Sequence, residues 1–99
     1  MSSILDDLWF QGQVLMLAYE RMPNSVSSAQ IQSEHEGVTD EYIERQLAIL
    51  HRKGYITTYT TTVNGALVHM VDLTAQGCEA AEDTLLRKHY GTDYEKYVQ

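Results

Sequence analysis

The chain has 99 residues, a length that allows one hydrophobic core and is too short for two. Its hydrophobic content of 43% and aromatic content of 9% are ordinary for a globular protein and argue against disorder. No stretch approaches the roughly 18 consecutive apolar residues of a membrane span. The first residues carry acid where a secretory signal carries base. We therefore expect a cytoplasmic protein without membrane association.

The residue types that build metal centres, disulfides and active sites are sparse or scattered. Cys78 is the only cysteine, so no internal disulfide can form, and we interpret it as a packed or inert thiol. The four histidines are widely spaced, whereas metal sites usually contain a close pair. The sequence has no phosphate-binding glycine loop and no nucleophile elbow. We therefore predict neither an enzyme nor a bound metal or cofactor.

A first helix is predicted over residues 4–22, with Ser3 and Asp6 as a capping pair and Pro23 beyond its end. Its second half is apolar on every side, because residues 14–18 cover a full turn of directions. Either a second subunit covers this surface or the chain wraps around its own helix. We favour a homodimer, in which the interface residues are Phe10, Val14, Leu17, Tyr94 and Tyr97.

Two shorter helices follow in the sequence. Ser27 and Gln30 form a capping box in front of a helix over residues 28–36. Thr39 caps a third helix over residues 40–53, which has acid in its first turn and base in its last. Apolar residues at helical spacing give this third helix a core stripe, formed by Ile43, Leu47 and Leu50.

Residues 55–73 predict a β-hairpin rather than a helix. Residues 55–63 are rich in β-branched and aromatic side chains, which favour a strand. Asn64-Gly65 is the strongest short signal for a two-residue turn, and residues 66–73 return as the partner strand. We expect Val26 to supply a short extra strand that pairs with this hairpin.

Two helices are predicted after the hairpin. Thr74 caps a helix over residues 75–89, and a last short helix is expected over residues 92–98. The order helix, helix, turn, helix, hairpin, helix is that of a winged helix-turn-helix. The sequence therefore predicts a single α+β domain over residues 1–99 that is mainly α-helical, with the hairpin as its wing.

Two short segments resemble known regulators. Residues 50–56, Leu-His-Arg-Lys-Gly-Tyr-Ile, resemble the end of a recognition helix that leads into a wing. Residues 71–77, Val-Asp-Leu-Thr-Ala-Gln-Gly, resemble the strand-to-helix junction of MarR-like and PadR-like transcription regulators. The resemblance implies a dimeric DNA-binding regulator of a bacterium or phage. It also implies that the third helix enters the major groove while the wing touches the backbone or the minor groove.

The third helix offers residues that suit this role. On the face opposite its core stripe, Arg45 and Arg52 flank the small Ala48, and arginine can contact phosphates or guanine edges. A plain solvated face with a Glu41–Arg45 pair is the competing interpretation. The residues we expect to contact double-stranded DNA are Ser28, Thr39, Arg45, Ala48, Arg52, Lys53 and Asn64.

Charge favours an alternative function. The net charge is −7, and no Lys or Arg occurs from Gly54 to Glu82, whereas DNA affinity depends on cations. The outer face of the wing is substantially apolar, which is typical of a protein contact unless the first helix or the C-terminal tail covers it. The alternative is an acidic winged helix that binds a protein partner instead of DNA through Tyr59, Val68 and Met70.

Overall fold

The computed structural model describes residues 4–90 and shows a winged helix. Four helices and a three-stranded antiparallel sheet follow one another as α1 Ile4–Arg21, β1 Val26–Ser27, α2 Ser28–Glu34, α3 Asp40–Arg52, β2 Ile56–Val63, β3 Ala66–Leu73 and α4 Ala75–Tyr90. The predicted fold class, α+β and mainly α-helical with a hairpin wing, is confirmed. The short helix expected over residues 92–98 lies outside the described residues.

Side-chain caps define the starts of α2 and α3. The Ser27 hydroxyl accepts a hydrogen bond from the Gln30 backbone N–H at 3.1 Å, and the Gln30 side chain accepts one from the Ser27 N–H at 2.9 Å. Thr39 Oγ1 accepts from the Tyr42 N–H at 3.1 Å. Both caps satisfy N–H groups that a helix start leaves unpaired. The helix α2 ends two residues before its predicted end, because His35 leaves the helical conformation with φ −132° and ψ 81°.

The sheet has the strand order β1-β3-β2, so the long hairpin is extended on one side only. Ile56 pairs with Leu73 and Val63 pairs with Ala66, the register expected from a two-residue turn. Asn64 and Gly65 both have positive φ, 52° and 81°, as a type I′ turn requires. Val26 lies opposite Val71 in the short strand β1, which confirms the extra strand.

The core forms around α1, which contacts α4, α3 and the sheet. Its apolar second half is covered by the same chain: Val14, Leu15, Met16 and Ala18 are each less than a tenth exposed. Phe10 and Val14 are 3% and 1% exposed, and so they offer no surface to a second subunit. The structure therefore corrects the interface prediction at these two positions, because the protomer itself wraps this part of the helix.

Hydrogen bonds join α1 to its two helical neighbours. The Tyr19 hydroxyl donates to Glu82 Oε2 of α4 at 2.8 Å, and this acceptor raises the pKa of Tyr19 because it stabilises the protonated phenol. Toward α3, Gln11 Nε2 donates to Gln46 Oε1 at 2.7 Å in a fully buried contact. One exposed and one buried hydrogen bond thus join α1 to α4 and to α3.

The start of α4 is joined to the chain between α3 and the wing. The Thr74 N–H donates to the Tyr55 carbonyl at 3.0 Å, and its hydroxyl donates to the Gly54 carbonyl at 2.6 Å. The Gly77 N–H donates to Thr74 Oγ1 at 3.0 Å. A Cβ at Gly77 would lie 1.9 Å from the Tyr55 carbonyl oxygen, a distance that no side chain tolerates. The close approach therefore requires glycine.

We expect Gly77→Ala to lower the free energy of unfolding by more than about 2 kcal/mol, because the added carbon must push the backbone of α4 away from Tyr55. Gly12→Ala is the matched control. Its Cβ would make ordinary contact with Thr84 at 3.6 Å, and alanine should stabilise α1 by up to about 1 kcal/mol. Urea unfolding monitored by circular dichroism measures both variants. Equal effects at the two sites would contradict the role of Gly77.

Candidate nucleic-acid interface

The helix α3 has one buried face and one exposed face. The buried stripe is the one predicted from the spacing, formed by Ile43, Leu47 and Leu50. On the opposite side Arg45, Ala48 and Arg52 are all exposed. Within residues 4–90, neither guanidinium has a hydrogen-bond or ion-pair partner, and no Glu41–Arg45 pair forms. Both arginines are therefore available to an external ligand.

A groove of about 330 Å³ separates the exposed side of α3 from the root of the wing. Ala48 and Arg52 line it from the helix, and Thr58 lines it from β2. His69 Nδ1 of β3 lies 3.1 Å from Glu44 Oε1 of α3, and both side chains are about half exposed. This contact ties the wing to the helix, so that the two elements present one continuous surface.

Three of the residues predicted to contact DNA lie at a helix start or in a turn, and each is exposed or half-buried. Thr39 caps α3 through its side-chain oxygen. Ser28 is the first residue of α2 and is half-buried. Asn64 lies exposed at the tip of the wing, where its positive φ builds the turn. Within α3, Asp40–Arg52, the only Lys or Arg residues are Arg45 and Arg52.

Lys53 is directed elsewhere. Its ammonium donates to Gln11 Oε1 of α1 at 2.7 Å, and it lines a cavity between α1 and α4. The sequence placed Lys53 beside Arg52 at the end of α3, and there its exposed side chain extends to Gln11 of α1. Its side chain is exposed, so the phosphate contact expected of Lys53 stays a prediction beside this intramolecular hydrogen bond.

The wing carries no Lys or Arg and is rich in hydroxyl groups. Thr57, Thr58, Thr60 and Thr62 are exposed along β2. Hydroxyl groups can donate to phosphate oxygens, but they release few counterions and so contribute little salt-dependent affinity. On α3 itself the acidic Glu41 and Glu44 partly offset the two arginines. This surface is suited to modest affinity for a polyanion.

The surface predicted to bind a protein is smaller than expected. The Tyr59 hydroxyl lies 2.9 Å from Ser25 Oγ, and Ser25 also donates to Asp72, so the segment before β1 bonds to this face of the hairpin while Tyr59 stays 47% exposed. Val68 and Met70 are half-buried. The C-terminal tail, one of the elements expected to cover this face, lies outside the described residues.

Other exposed apolar side chains were missed by the sequence analysis. Leu67 and Val63, near the wing tip, are 75% and 50% exposed. Leu5, Leu8 and Trp9 form an exposed stripe on the first turns of α1. The spacing i, i+3, i+4 indicates this stripe, although the more continuous apolar run at residues 14–18 is the stronger signal in the sequence.

The residues proposed for a subunit interface are divided between described and undescribed parts of the chain. Leu17 is half-buried and packs against the core cluster. Tyr94 and Tyr97 lie outside the described residues.

The sequence analysis also missed the contact between Glu44 and His69, although the predicted register already placed His69 on the same face of the hairpin as Val71. That face must turn toward α3, which was the available signal.

Comparison with known proteins gives a likeness of fold. No family model and no curated protein sequence matches the chain. Among solved structures, a mutant of MepR from a multidrug-resistant S. aureus clinical isolate is similar, with a TM-score of 0.67 and 18% sequence identity. The match covers 90% of this chain and 63% of that chain, so the present chain spans less than two thirds of MepR. The likeness supports the winged-helix fold.

Two further observations concern membrane-spanning helices and metal sites. Within residues 4–90, no helix combines the length and apolar character needed to cross a membrane. In the same part of the chain, no three side chains of His, Cys, Asp or Glu come together as they would around a metal ion.

We expect Lys53→Met to destabilise the protein by about 1 kcal/mol, because it removes the donor that Gln11 Oε1 accepts. Methionine keeps most of the aliphatic stem, so the loss reports the ammonium group. Lys88→Met on the exposed surface of α4 removes the same charge and should change the free energy of unfolding by less than about 0.5 kcal/mol. Equal destabilisation in urea unfolding would show that net charge, rather than the hydrogen bond, matters at Lys53.

Proposed function

We propose that the protein is a small DNA-binding transcription regulator of the winged-helix type, acting as a dimer in the cytoplasm. The observation that carries this proposal is the exposed Arg45–Ala48–Arg52 face of α3, which borders directly on the wing. In winged helices and other helix-turn-helix proteins, the helix at this position lies in the major groove. The fold that the chain shares with MepR supports this comparison of α3 with the corresponding helix of other winged helices.

The spacing of the two arginines suits contact with a duplex. Seven residues of α-helix span about 10.5 Å along the axis, so Arg45 and Arg52 lie two turns apart on one side. Ala48 between them is small enough to let the helix backbone approach the base edges. Each arginine can contact guanine O6 and N7 with both nitrogen atoms, or bind a phosphate. Hydroxyls of the wing and Ser28 then add backbone contacts.

The charge balance sets the strength of this binding. Fourteen acidic residues oppose seven Lys and Arg residues in the chain, and few cations lie on the proposed surface. A protein that neutralises two or three phosphates shows a logarithmic salt slope of only about −2 to −3. Selective binding would therefore depend on the two arginine contacts and on two copies binding together.

The proposed dimer uses surfaces that the protomer leaves open. Leu5 and Leu8 on α1 are 77% and 49% exposed, and they replace the buried Phe10 and Val14 as interface residues. Leu17 and the C-terminal Tyr94 and Tyr97 belong to the same proposal. A two-fold axis between protomers would place two α3 helices in successive major grooves, as in other dimeric helix-turn-helix proteins.

DNA binding is tested by fluorescence anisotropy with a labelled random duplex at about 50 mM salt, where electrostatic contacts are strong. We expect measurable binding, with a loss of at least about tenfold in Arg45→Ala/Arg52→Ala, because each arginine contact contributes at least about 1 kcal/mol. Arg87→Ala/Lys88→Ala on α4 is the matched control, since it removes the same charge away from α3 and should change affinity less than twofold.

Two results would overturn this function. Absence of binding by the unmodified chain at this salt concentration would exclude a DNA-binding role under the most favourable conditions. Equal losses in the α3 and α4 double variants would show that only net charge matters and that the exposed face of α3 has no special part.

The dimer is tested by sedimentation equilibrium. We expect a mass of twice the 11.3 kDa chain at tens of micromolar, and a single-chain mass for Leu5→Asp/Leu8→Asp because two charges would be buried in the interface. Val63→Asp/Leu67→Asp at the wing tip is the control and should remain dimeric. A single-chain mass for the unmodified protein would exclude the proposed interface.

A further inference from the structure

The wing leaves one edge of the sheet without a neighbouring strand. In the strand order β1-β3-β2, β3 is central, and among residues 4–90 it is the only strand that pairs with β2. The residues of β2 pair with β3 in one unbroken register, so no bulge turns this edge away. Natural sheets usually protect such an edge with a charge, a proline or a bulge. The strand Ile56–Val63 contains none of the three.

The turn determines which backbone groups of β2 point outward. Because a two-residue turn joins the strands, Val63 and Ala66 beside it form a hydrogen-bonded pair. Along an antiparallel ladder such pairs alternate with pairs that exchange no hydrogen bonds. The N–H and C=O groups of Thr58, Thr60 and Thr62 therefore point away from β3, toward the open edge. All three side chains are exposed, so another strand can reach these groups.

Charge favours a second copy of the chain as the occupant of this edge. From Gly54 to Val71 the sequence has no Asp, Glu, Lys or Arg, although 21% of all residues in the chain are charged. Two copies of a chain with a net charge of −7 repel each other over most of their surface. At the wing edge they can approach without bringing like charges together. A charged partner strand, by contrast, would find no opposite charge there.

We propose that β2 pairs with β2 of a second copy, antiparallel, about a two-fold axis at Thr60. Thr60 then lies opposite Thr60 of the second copy, and Thr58 lies opposite Thr62. This is the only two-fold register in which all three outward-pointing residues find one another. Each opposite pair exchanges two backbone hydrogen bonds, about six in total. Threonine pairs that face each other across antiparallel strands add to the stability of the pairing.

The arrangement keeps the two copies of α3 on one side. A two-fold axis that relates antiparallel strands of one sheet is perpendicular to the sheet, so each face continues into the same face of the second copy. Thr60 lies opposite His69, and His69 Nδ1 lies 3.1 Å from Glu44 Oε1 of α3. Both α3 helices therefore lie on the same side of the combined sheet. The pairing requires neither DNA nor the α1 contacts, and it goes beyond the function proposed above.

A single strand edge buries less than the roughly 1,000 Å² that a stable interface needs, so the pairing is weak. We expect a dissociation constant of about 0.1–1 mM. At the tens of micromolar used for the sedimentation experiment, few wings are paired, and the mass expected there is unchanged.

The test follows backbone amides of the full chain by NMR between about 20 μM and about 2 mM protein. We expect the amide shifts of Thr58, Thr60 and Thr62 to change with concentration, and their hydrogen exchange to slow by at least about twofold. The amides of Tyr59 and Thr61 bond to β3 already and should change little. This alternation identifies the edge pairing, whereas association through α1 changes the amides of that helix instead.

A charge placed at the two-fold axis tests the register. Thr60→Lys puts two ammonium groups opposite each other and should weaken the pairing at least about threefold. Thr57→Lys is the matched control, because it adds the same charge to the same strand with the two copies about 20 Å apart. It should change the affinity less than about 1.5-fold. An equimolar mixture of Thr60→Lys and Thr60→Glu should pair at least about threefold more tightly than Thr60→Lys alone.

The pairing is contradicted by any of three results. The first is fast exchange and unchanged shifts for Thr58, Thr60 and Thr62 at every concentration, which would show an edge that stays open. The second is slow exchange of these amides at every concentration, which would show that one chain covers its own edge. The third is equal weakening by Thr60→Lys and Thr57→Lys, or no gain in the mixture, which would exclude this two-fold register. None of these results depends on whether the protein binds DNA.

Discussion

The close contact between α4 and the chain that leaves α3 is the constraint on which the rest of the structure depends. Thr74 donates two hydrogen bonds to this chain. Its N–H donates to the Tyr55 carbonyl, and its hydroxyl donates to the Gly54 carbonyl. Gly77 allows the backbones to approach because it has no Cβ. Since Thr74 follows the second wing strand directly, these bonds close the hairpin at its root. The orientations of α3, the wing and α4 are thereby fixed together.

This junction explains how a small domain presents an ordered surface. The wing is long and mostly exposed beyond its first residues, so its packing against the core is limited. Its position relative to α3 is held by the root at Thr74 and by the contact of His69 with Glu44. On the opposite face Ser25 bonds to Tyr59 and Asp72. The groove beside α3 is thus bounded by elements that are fixed on both sides.

The sequence predicted local features well because their causes are local. Asn64-Gly65 determines the turn, and alternation along both strands then determines the register that pairs Ile56 with Leu73. The caps at Ser27 and Thr39 follow from the preference of hydroxyl side chains for helix starts. The same holds for the exposed positions of Arg45 and Arg52, which follow from the helical period once the core stripe is known.

Features that depend on contacts between distant segments were predicted less well. A helix that is apolar on all sides must be buried, but the pattern does not tell whether the same chain or a second one covers it. For Phe10 and Val14 the same chain covers them. Lys53 has a long flexible stem, and only the fold shows that Gln11 lies within its reach. Likewise, nothing in the wing sequence reveals that Ser25 would bond to Tyr59.

The distribution of charge along α3 bears on how it would approach DNA. Asp40 and Glu41 lie in its first turn and Arg52 in its last, an arrangement that stabilises the helix through its dipole. Helix-turn-helix proteins commonly contact bases with the N-terminal part of this helix, yet here that end is acidic. Phosphates would be repelled there and attracted toward Arg45 and Arg52. Docking through the middle and C-terminal part of α3 is therefore the arrangement that electrostatics favours.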